Sequence, residues 1–175
     1  FCGFRRRNQV PWLLLLLVLG SGLRLLWPED MEWKADEIWM YNTARAIADG
    51  AKPLPWLGMT NSAGFANPGL SVWVFAGLAH VARTPIAMVR WVQGLNVIAL
   101  WLAFAWAVCV VVDRSERSIW LNGIALASVS PVAILFSRKI WAQDVLPIFT
   151  VFFWAAYFNR HRRWGAACWD LIGAL

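Results

Sequence analysis

The chain has 175 residues, of which 60% are hydrophobic and 15% are charged, with a mean hydropathy of +0.53 and a formal net charge of +6. This composition excludes an ordinary soluble domain and is typical of a polytopic membrane protein, because the apolar residues form blocks of nearly membrane length. The basic residues lie in short clusters between those blocks and form no continuous cationic face, so we expect no nucleic-acid partner.

The first predicted membrane-spanning helix covers residues 10–27 and follows a basic segment, residues 1–9. Arg5, Arg6 and Arg7 place that segment in the cytoplasm by the positive-inside rule. The alternative is a secretory signal peptide with a cleavage site near residues 20–22. The apolar run continues to residue 27 and further apolar blocks follow, which favours an uncleaved helix.

A long first loop, residues 28–85, is predicted on the outer face with two interfacial helices, near 36–49 and 68–82. Gly50 is a good stop residue for the first of these helices. Asn67 is a suitable N-cap for the second, with Pro68 at its first position. The prolines and glycines between the two helices predict irregular backbone.

The remaining chain is predicted to alternate between membrane spans and short loops. The spans are 86–112, 118–136 and 145–158, followed by the start of a fifth at 164–175; the cytoplasmic loops are 113–117 and 159–163, and the outer second loop is 137–144.

This topology depends on the apolar segment 68–82. Its fifteen residues reach about 22 Å as a helix, which is shorter than the ~30 Å hydrocarbon core, so we expect it to lie along the surface. All three arginine clusters are then cytoplasmic. If the segment instead spans the membrane, the second loop lies on the face opposite Asp36.

Two adjacent carboxylates, Asp36 and Glu37, lie in W-K-A-D-E-I-W-M-Y, just beyond the first span. In one interpretation Asp36 caps a helix and Glu37 interacts with the helix dipole. In the other they are functional, because carboxylates close to lipid are costly. These residues alone do not separate the two interpretations.

The second loop, S-R-K-I-W-A-Q-D, adds Arg138, Lys139 and Asp144 near the same predicted surface. A carboxylate can accept the proton of an attacking hydroxyl while a cation stabilises a phosphate leaving group. This combination suits glycosyl transfer from a lipid phosphate. The alternatives are that the two cations reach out to lipid headgroups and that Asp144 caps a helix starting at Val145.

Several of these residues also carry a family resemblance. They are the Asp-Glu pair at 36 and 37, Ala44 and Gly50, prolines 53 and 55, N-P-G-L at 67–70 and S-R-K-I-W-A-Q-D-V-L-P. The chain resembles the C-type superfamily of polytopic membrane glycosyltransferases, and within it the protein O-mannosyltransferase and lipid A aminoarabinose transferase group. The resemblance covers most of the chain, which would form the N-terminal part of such an enzyme.

The resemblance implies a polyprenyl-phosphate-linked sugar as donor and an acceptor hydroxyl on a protein, lipid or glycan. Transfer would proceed with inversion on the outer face of the plasma (inner) membrane. Asp36 matches the catalytic carboxylate of the family and Asp144 its second-loop acidic residue, while Glu37 would position the helix or a metal. Any metal would be a divalent cation, Mg²⁺ or Mn²⁺, held by these three carboxylates.

The chain departs from the family pattern on the donor side. Asn67 and Gly69 stand where relatives have lysine and a second proline, and Trp39 replaces an arginine. We therefore assign the donor phosphate to Arg138 and Lys139, with Asn67 and Tyr41 as further contacts.

Two other functional classes are compatible with the sequence. A transporter or channel subunit would use the acidic pair to bind cations. It is disfavoured because Asp and Glu are absent from the interiors of the blocks at 86–112, 118–136 and 145–158. A non-catalytic membrane assembly subunit stays open.

Overall fold

The computed structural model describes residues 9–111 and 113–174, and the chain is mostly helical over these ranges. The predicted all-α class is confirmed, with one small β-hairpin added. In chain order the elements are α1 (Gln9–Leu25), a 3₁₀ turn (Pro28–Asp30), α2 (Ala35–Ala48), β1 (Leu57–Thr60), β2 (Ala66–Pro68), α3 (Leu70–Ala79), α4 (Pro85–Cys109), α5 (Arg114–Val129), α6 (Pro131–Phe136), a second 3₁₀ turn (Ala142–Val145), α7 (Leu146–Phe158) and α8 (Arg163–Ala174).

The predicted boundaries at 1–8, 112 and 175 lie outside the described residues. Elsewhere several predicted boundaries shift. The segment predicted as a cytoplasmic loop at 113–117 is largely the first turn of α5, because the Asp113 carboxylate accepts hydrogen bonds from the N–H groups of Ser115 and Glu116.

Two apolar cores organise the helices. The larger core joins α2, α3 and α4 to the second loop through fully buried side chains such as Met40, Phe75, Val89 and Ile140. Each such side chain contributes about 1.5–3 kcal/mol through burial. The smaller core packs α1, α4 and α5 around Leu17. Helix α4 belongs to both cores and therefore connects the two halves of the fold.

The segment between α2 and α3 forms a hairpin and not the irregular backbone that we predicted. Strands β1 and β2 are antiparallel. The turn between them is built by Asn61, whose side-chain oxygen accepts from the N–H groups of Ala63 and Phe65. Gly64 adopts φ +84°, a conformation that costs glycine little. Asn and Gly at these positions were the sequence signal for a turn.

The start of α3 was also predicted wrongly. Asn67 and Pro68 belong to β2, and the N-cap position is taken by Gly69. The Gly69 N–H donates to the Trp56 carbonyl at 2.9 Å, and a Cβ at residue 69 would lie 2.3 Å from the carbonyl oxygen of Pro55. The close approach of the hairpin therefore holds the chain extended up to residue 69.

The single helix predicted over 118–136 is two helices, α5 and α6, separated at Ser130. Ser130 is extended, with φ −61° and ψ 121°, as expected for a residue that precedes a proline. Pro131 has no N–H and so cannot bond to the carbonyl of Ala127. The Ser130 hydroxyl in turn caps α6 by accepting from the Ala133 N–H.

Arg24 of α1 satisfies the carbonyl groups that this break exposes. Its guanidinium donates to the carbonyl of Ala127 at 3.0 Å and to that of Ser128. A third hydrogen bond goes to the carbonyl of Gly20 in its own helix. The side chain is 96% buried as a result. Without Arg24 these buried carbonyls would lose their partners.

Helices α1 and α5 touch backbone to backbone at Gly20. A Cβ built at Gly20 would lie 2.1 Å from the carbonyl oxygen of Ser128. The Ser128 hydroxyl also donates to the Leu16 carbonyl at 3.0 Å. Glycine at position 20 is therefore required by the packing.

Within the described residues, α4 alone is both long enough and apolar enough to cross a membrane. The apolar segments Pro11–Leu25, Leu70–Ala79 and Ala142–Phe158 form shorter helices.

Candidate active site

The first and second loops meet at a cleft of about 310 Å³. It brings together Asp36 and Lys139, which lie far apart in the sequence and were both predicted as site residues. The lining residues are Glu32, Lys34, Ala35, Asp36, Glu37, Lys139 and Trp141. Residues of the first and second loops therefore lie on the same side of the helices.

Glu32 connects the two sides of the cleft and was missed by sequence reasoning. Its carboxylate pairs with Lys139 of the second loop and with Lys34 of its own loop. Hydrogen bonds from Lys139 and then Lys34 lower the pKa of Glu32 to about 2. The sequence signal for this role was Lys139 itself, because a lysine close to an apolar block needs an anionic partner.

Asp36 is the exposed carboxylate of the cleft. It is the second residue of α2, and the N-cap position belongs to Lys34. No donor among the described residues is hydrogen-bonded to the Asp36 side chain. The capping interpretation of Asp36 is therefore wrong, and its carboxylate is accessible from the cleft.

Glu37 has a different environment from its neighbour. The side chain is buried at 4% exposure, and its carboxylate accepts from the backbone N–H of Lys34 at 3.3 Å. This is the reciprocal half of a capping box, which fixes the start of α2. Glu37 thus stabilises the helix that presents Asp36.

Asp144 is 96% buried and does not line the cleft, although it is close enough to Glu37 and Lys139 to be influenced by their charges. Burial raises the pKa of its carboxyl to about 8; Lys139 counteracts this shift and Glu37 reinforces it. Its backbone carbonyl accepts from the Asn96 side chain at 2.7 Å, whereas its Oδ2 has no partner in the described part of the chain. Asp144 does not cap α7, which begins at Leu146 without a side-chain cap.

Arg138 is directed away from the cleft, although it precedes Lys139. Its guanidinium donates to the Leu23 carbonyl of α1 at 2.9 Å and lies 5.6 Å above the Trp27 ring. The side chain is 92% buried. We had predicted that Arg138 and Lys139 bind one phosphate together. The structure contradicts this prediction, because the two side chains lie in different places.

The other two predicted donor contacts also lie elsewhere. Tyr41 donates its hydroxyl proton to the Arg83 carbonyl at 2.8 Å and packs edge-on against Trp33. Asn67 lines a separate cavity of about 180 Å³ that also includes Gln143. Neither residue lines the cleft at Asp36.

The carboxylates of the cleft do not assemble a metal site. Over residues 9–111 and 113–174, no group of three His, Cys, Asp or Glu side chains is placed to hold a metal ion. Asp36, Glu37 and Asp144 are therefore not arranged as the ligand set that we had considered for Mg²⁺ or Mn²⁺.

Trp141 gives the cleft an aromatic wall that sequence reasoning did not single out. Its ring stacks on Phe136 with centroids 6.1 Å apart and an interplanar angle of 25°, and the Lys139 ammonium lies 5.5 Å from its centroid. The cleft thus combines an accessible carboxylate, a lysine held by Glu32 and an apolar ring face. Such a set can bind a hydroxylated molecule and accept a proton from it.

Comparison of this chain with protein-family models, with curated protein sequences and with solved structures found no match.

Proposed function

We propose that this chain belongs to an integral-membrane glycosyltransferase that moves a sugar from a polyprenyl-phosphate-linked donor to an acceptor hydroxyl. One observation carries the proposal: the exposed carboxylate of Asp36 lines a cleft that is completed by Lys139 and Trp141 of the second loop. The family resemblance supplies the donor class, and the cleft supplies a place for the acceptor.

The proposed arrangement is a multi-pass protein of the plasma membrane with the cleft on the outer face. Two features support it. Helix α3 has ten residues, or about 15 Å, and packs against α2 in the larger core, as a surface helix would. The arginines at 114, 117, 160, 162 and 163 lie in the predicted cytoplasmic loops, as the positive-inside rule favours.

In the proposed reaction Asp36 accepts the proton of the acceptor hydroxyl as its oxygen attacks the anomeric carbon of the donor. The bond between that carbon and the phosphate oxygen breaks, and the polyprenyl phosphate leaves with the electron pair. Attack opposite the leaving group inverts the anomeric centre. Glu37 and Asp144 are positioning residues in this scheme, because both carboxylates are buried, Glu37 in the wall of the cleft and Asp144 outside its lining.

The decisive experiment replaces Asp36 by Asn in the full-length protein and measures transfer from a labelled polyprenyl-phosphate sugar in native membranes. We expect a loss of about 10²- to 10⁴-fold, the usual contribution of a general base. Asp30→Asn is the matched control, since Asp30 is exposed in the same loop but does not line the cleft. Normal transfer by Asp36→Asn would refute the proposal.

A further inference from the structure

Within residues 9–111 and 113–174, no carboxylate balances the buried charge of Arg24. Its three hydrogen bonds all go to backbone carbonyls, and a guanidinium has five N–H groups, so two remain. No ion pair among the described residues includes Arg24. A buried cation balanced only by carbonyl dipoles is costly, which makes this side chain a candidate to bind an anion.

Arg24 lines a cavity of about 420 Å³ between the helices. Polar side chains on its wall are Arg24, Asn96, Gln143 and Thr150, and the rest of the wall is almost entirely apolar. The apolar lining residues include Ala99, Leu100, Ala103, Ile124, Leu146 and Val151. A small polar set within an apolar wall fits an amphiphilic molecule.

Arg138 adds a second unbalanced charge beside the first. It donates to the carbonyl of Leu23, the residue that precedes Arg24, and it forms no ion pair among the described residues. Its Nε–H is buried without a hydrogen-bond partner in that part of the chain. A second guanidinium group therefore lies near the end of α1, although Arg138 does not line the Arg24 cavity.

The lysines of the Asp36 cleft are less suited to this role. Lys139 and Lys34 share the carboxylate of Glu32, so their charges are already partly neutralised. A phosphate gains more from a guanidinium that has no anionic partner. Gln143 of the second loop lines the Arg24 cavity, and Lys139 and Trp141 of the same loop line the cleft, so the second loop borders both.

We infer that the Arg24 cavity binds the phosphate headgroup of an anionic lipid, whose chain lies along the apolar wall. This inference rests on the proposed function only for its membrane location. The phosphate can come from an ordinary anionic phospholipid or from a polyprenyl phosphate. These sources share the chemistry that Arg24 recognises, and the experiment separates them.

The test uses the full-length protein in phosphatidylcholine nanodiscs that contain either phosphatidylglycerol or a polyprenyl phosphate. After transfer to a mild detergent, native mass spectrometry counts the retained lipids. We expect the wild type to retain an anionic lipid and Arg24→Met to lose it by roughly tenfold or more, the usual value of a hydrogen bond to a charged group. Arg83→Gln, which removes an exposed arginine, is the matched control and should retain it.

Arg24→Met also removes three hydrogen bonds that stabilise the helix ends, so a second variant keeps the test independent of folding. Ala103→Leu narrows the cavity with a larger apolar side chain and leaves Arg24 in place. It should lose the lipid and keep the thermal stability of the wild type in detergent. Preferential retention of polyprenyl phosphate would identify the cavity as a donor or product site, and equal retention of both lipids would identify it as a general anionic-lipid site.

Retention of phosphatidylcholine only, or unchanged retention in Ala103→Leu, would overturn the inference. Asp36→Asn should retain the lipid as the wild type does. The transfer assay of Asp36→Asn therefore tests the catalytic base. The lipid counts of Arg24→Met and Ala103→Leu test the cavity, so the failure of one proposal is distinguishable from the failure of the other.

Discussion

Lys139 forms an ion pair with Glu32 across 107 positions of the sequence. The pair joins the first loop to the second at the rim of the cleft that contains Asp36. Because Glu32 also binds Lys34, one carboxylate orders both lysines of the cleft.

The Glu32 ion pairs predict a loss of stability in acid. The pKa of Glu32 is about 2 in the folded chain, below its ordinary value of 4.5. A depressed pKa in a carboxyl group stabilises the fold above the unfolded pKa, and this contribution disappears as the pH falls from about 4.5 to about 2. The thermal unfolding midpoint in detergent should decrease over this range.

Lys139→Met should remove part of this pH dependence by removing one partner of Glu32. Lys52→Met is the control, because Lys52 is exposed and does not line the cleft. An equal acid-induced decrease in the wild type and in Lys139→Met would show that the ion pair does not hold the loops together.

Asp144→Asn should remove a pH-dependent loss of stability that the wild type shows between about pH 4 and 8. Burial raises the pKa of Asp144 from 3.8 to about 8, so the unfolded state releases its proton before the folded state does. Wild-type stability should therefore decline as the pH rises from about 4 to 8, at about 1.4 kcal/mol per pH unit for one full proton. Asparagine has no proton to release and should flatten this decline. An unchanged pH profile would refute the assignment of the shift to Asp144.

Asp36 and Glu37 are adjacent, but removal of their charges should affect different properties: stability for Glu37 and transfer for Asp36. Glu37→Ala loses the capping-box hydrogen bond and should destabilise the chain by about 0.5–2 kcal/mol. Asp36→Asn should leave the unfolding midpoint nearly unchanged and reduce transfer by about 10²- to 10⁴-fold. Measurement of unfolding and transfer for both variants tests whether Glu37 has a structural role and Asp36 the proposed catalytic one; a large loss of stability in Asp36→Asn would contradict this separation.

The sequence predicted the positions of most helices because apolar blocks and terminator residues are local signals. Helix α2 was expected at 36–49 and is found at Ala35–Ala48, with Gly50 in the left-handed conformation as its stop. The break at Ser130 was not predicted, although the sequence contains its signal: a proline inside an apolar block ends a helix at the preceding residue.

The contacts between distant segments could not be predicted from the sequence in the same way. Asp36 and Lys139 were predicted to be neighbours only because the topology placed both loops on one face. Which charges meet inside that region depends on side-chain directions that no local pattern encodes. The Arg138 guanidinium donates to a backbone carbonyl of α1. Lys139, which we had assigned to a phosphate, forms an ion pair with Glu32.

The two glycines of α1 provide a matched pair for the helix contact. Gly20→Ala should destabilise the chain by about 1–3 kcal/mol, because its Cβ would meet the Ser128 carbonyl oxygen at 2.1 Å. Gly22→Ala has open space within 4 Å and should stabilise it by about 0.4–1 kcal/mol through the unfolded state. Thermal unfolding of both variants in one detergent checks the opposite signs.

The contact at Gly20 has a further consequence for the cleft. Helix α1 leads directly into the first loop, and α5 leads through α6 into the second. Because their backbones touch, α1 and α5 cannot slide past each other without losing the contact at Ser128. A larger residue at position 20 would therefore change the width of the cleft from a distance, by altering the offset between the two chain segments that carry Asp36 and Lys139.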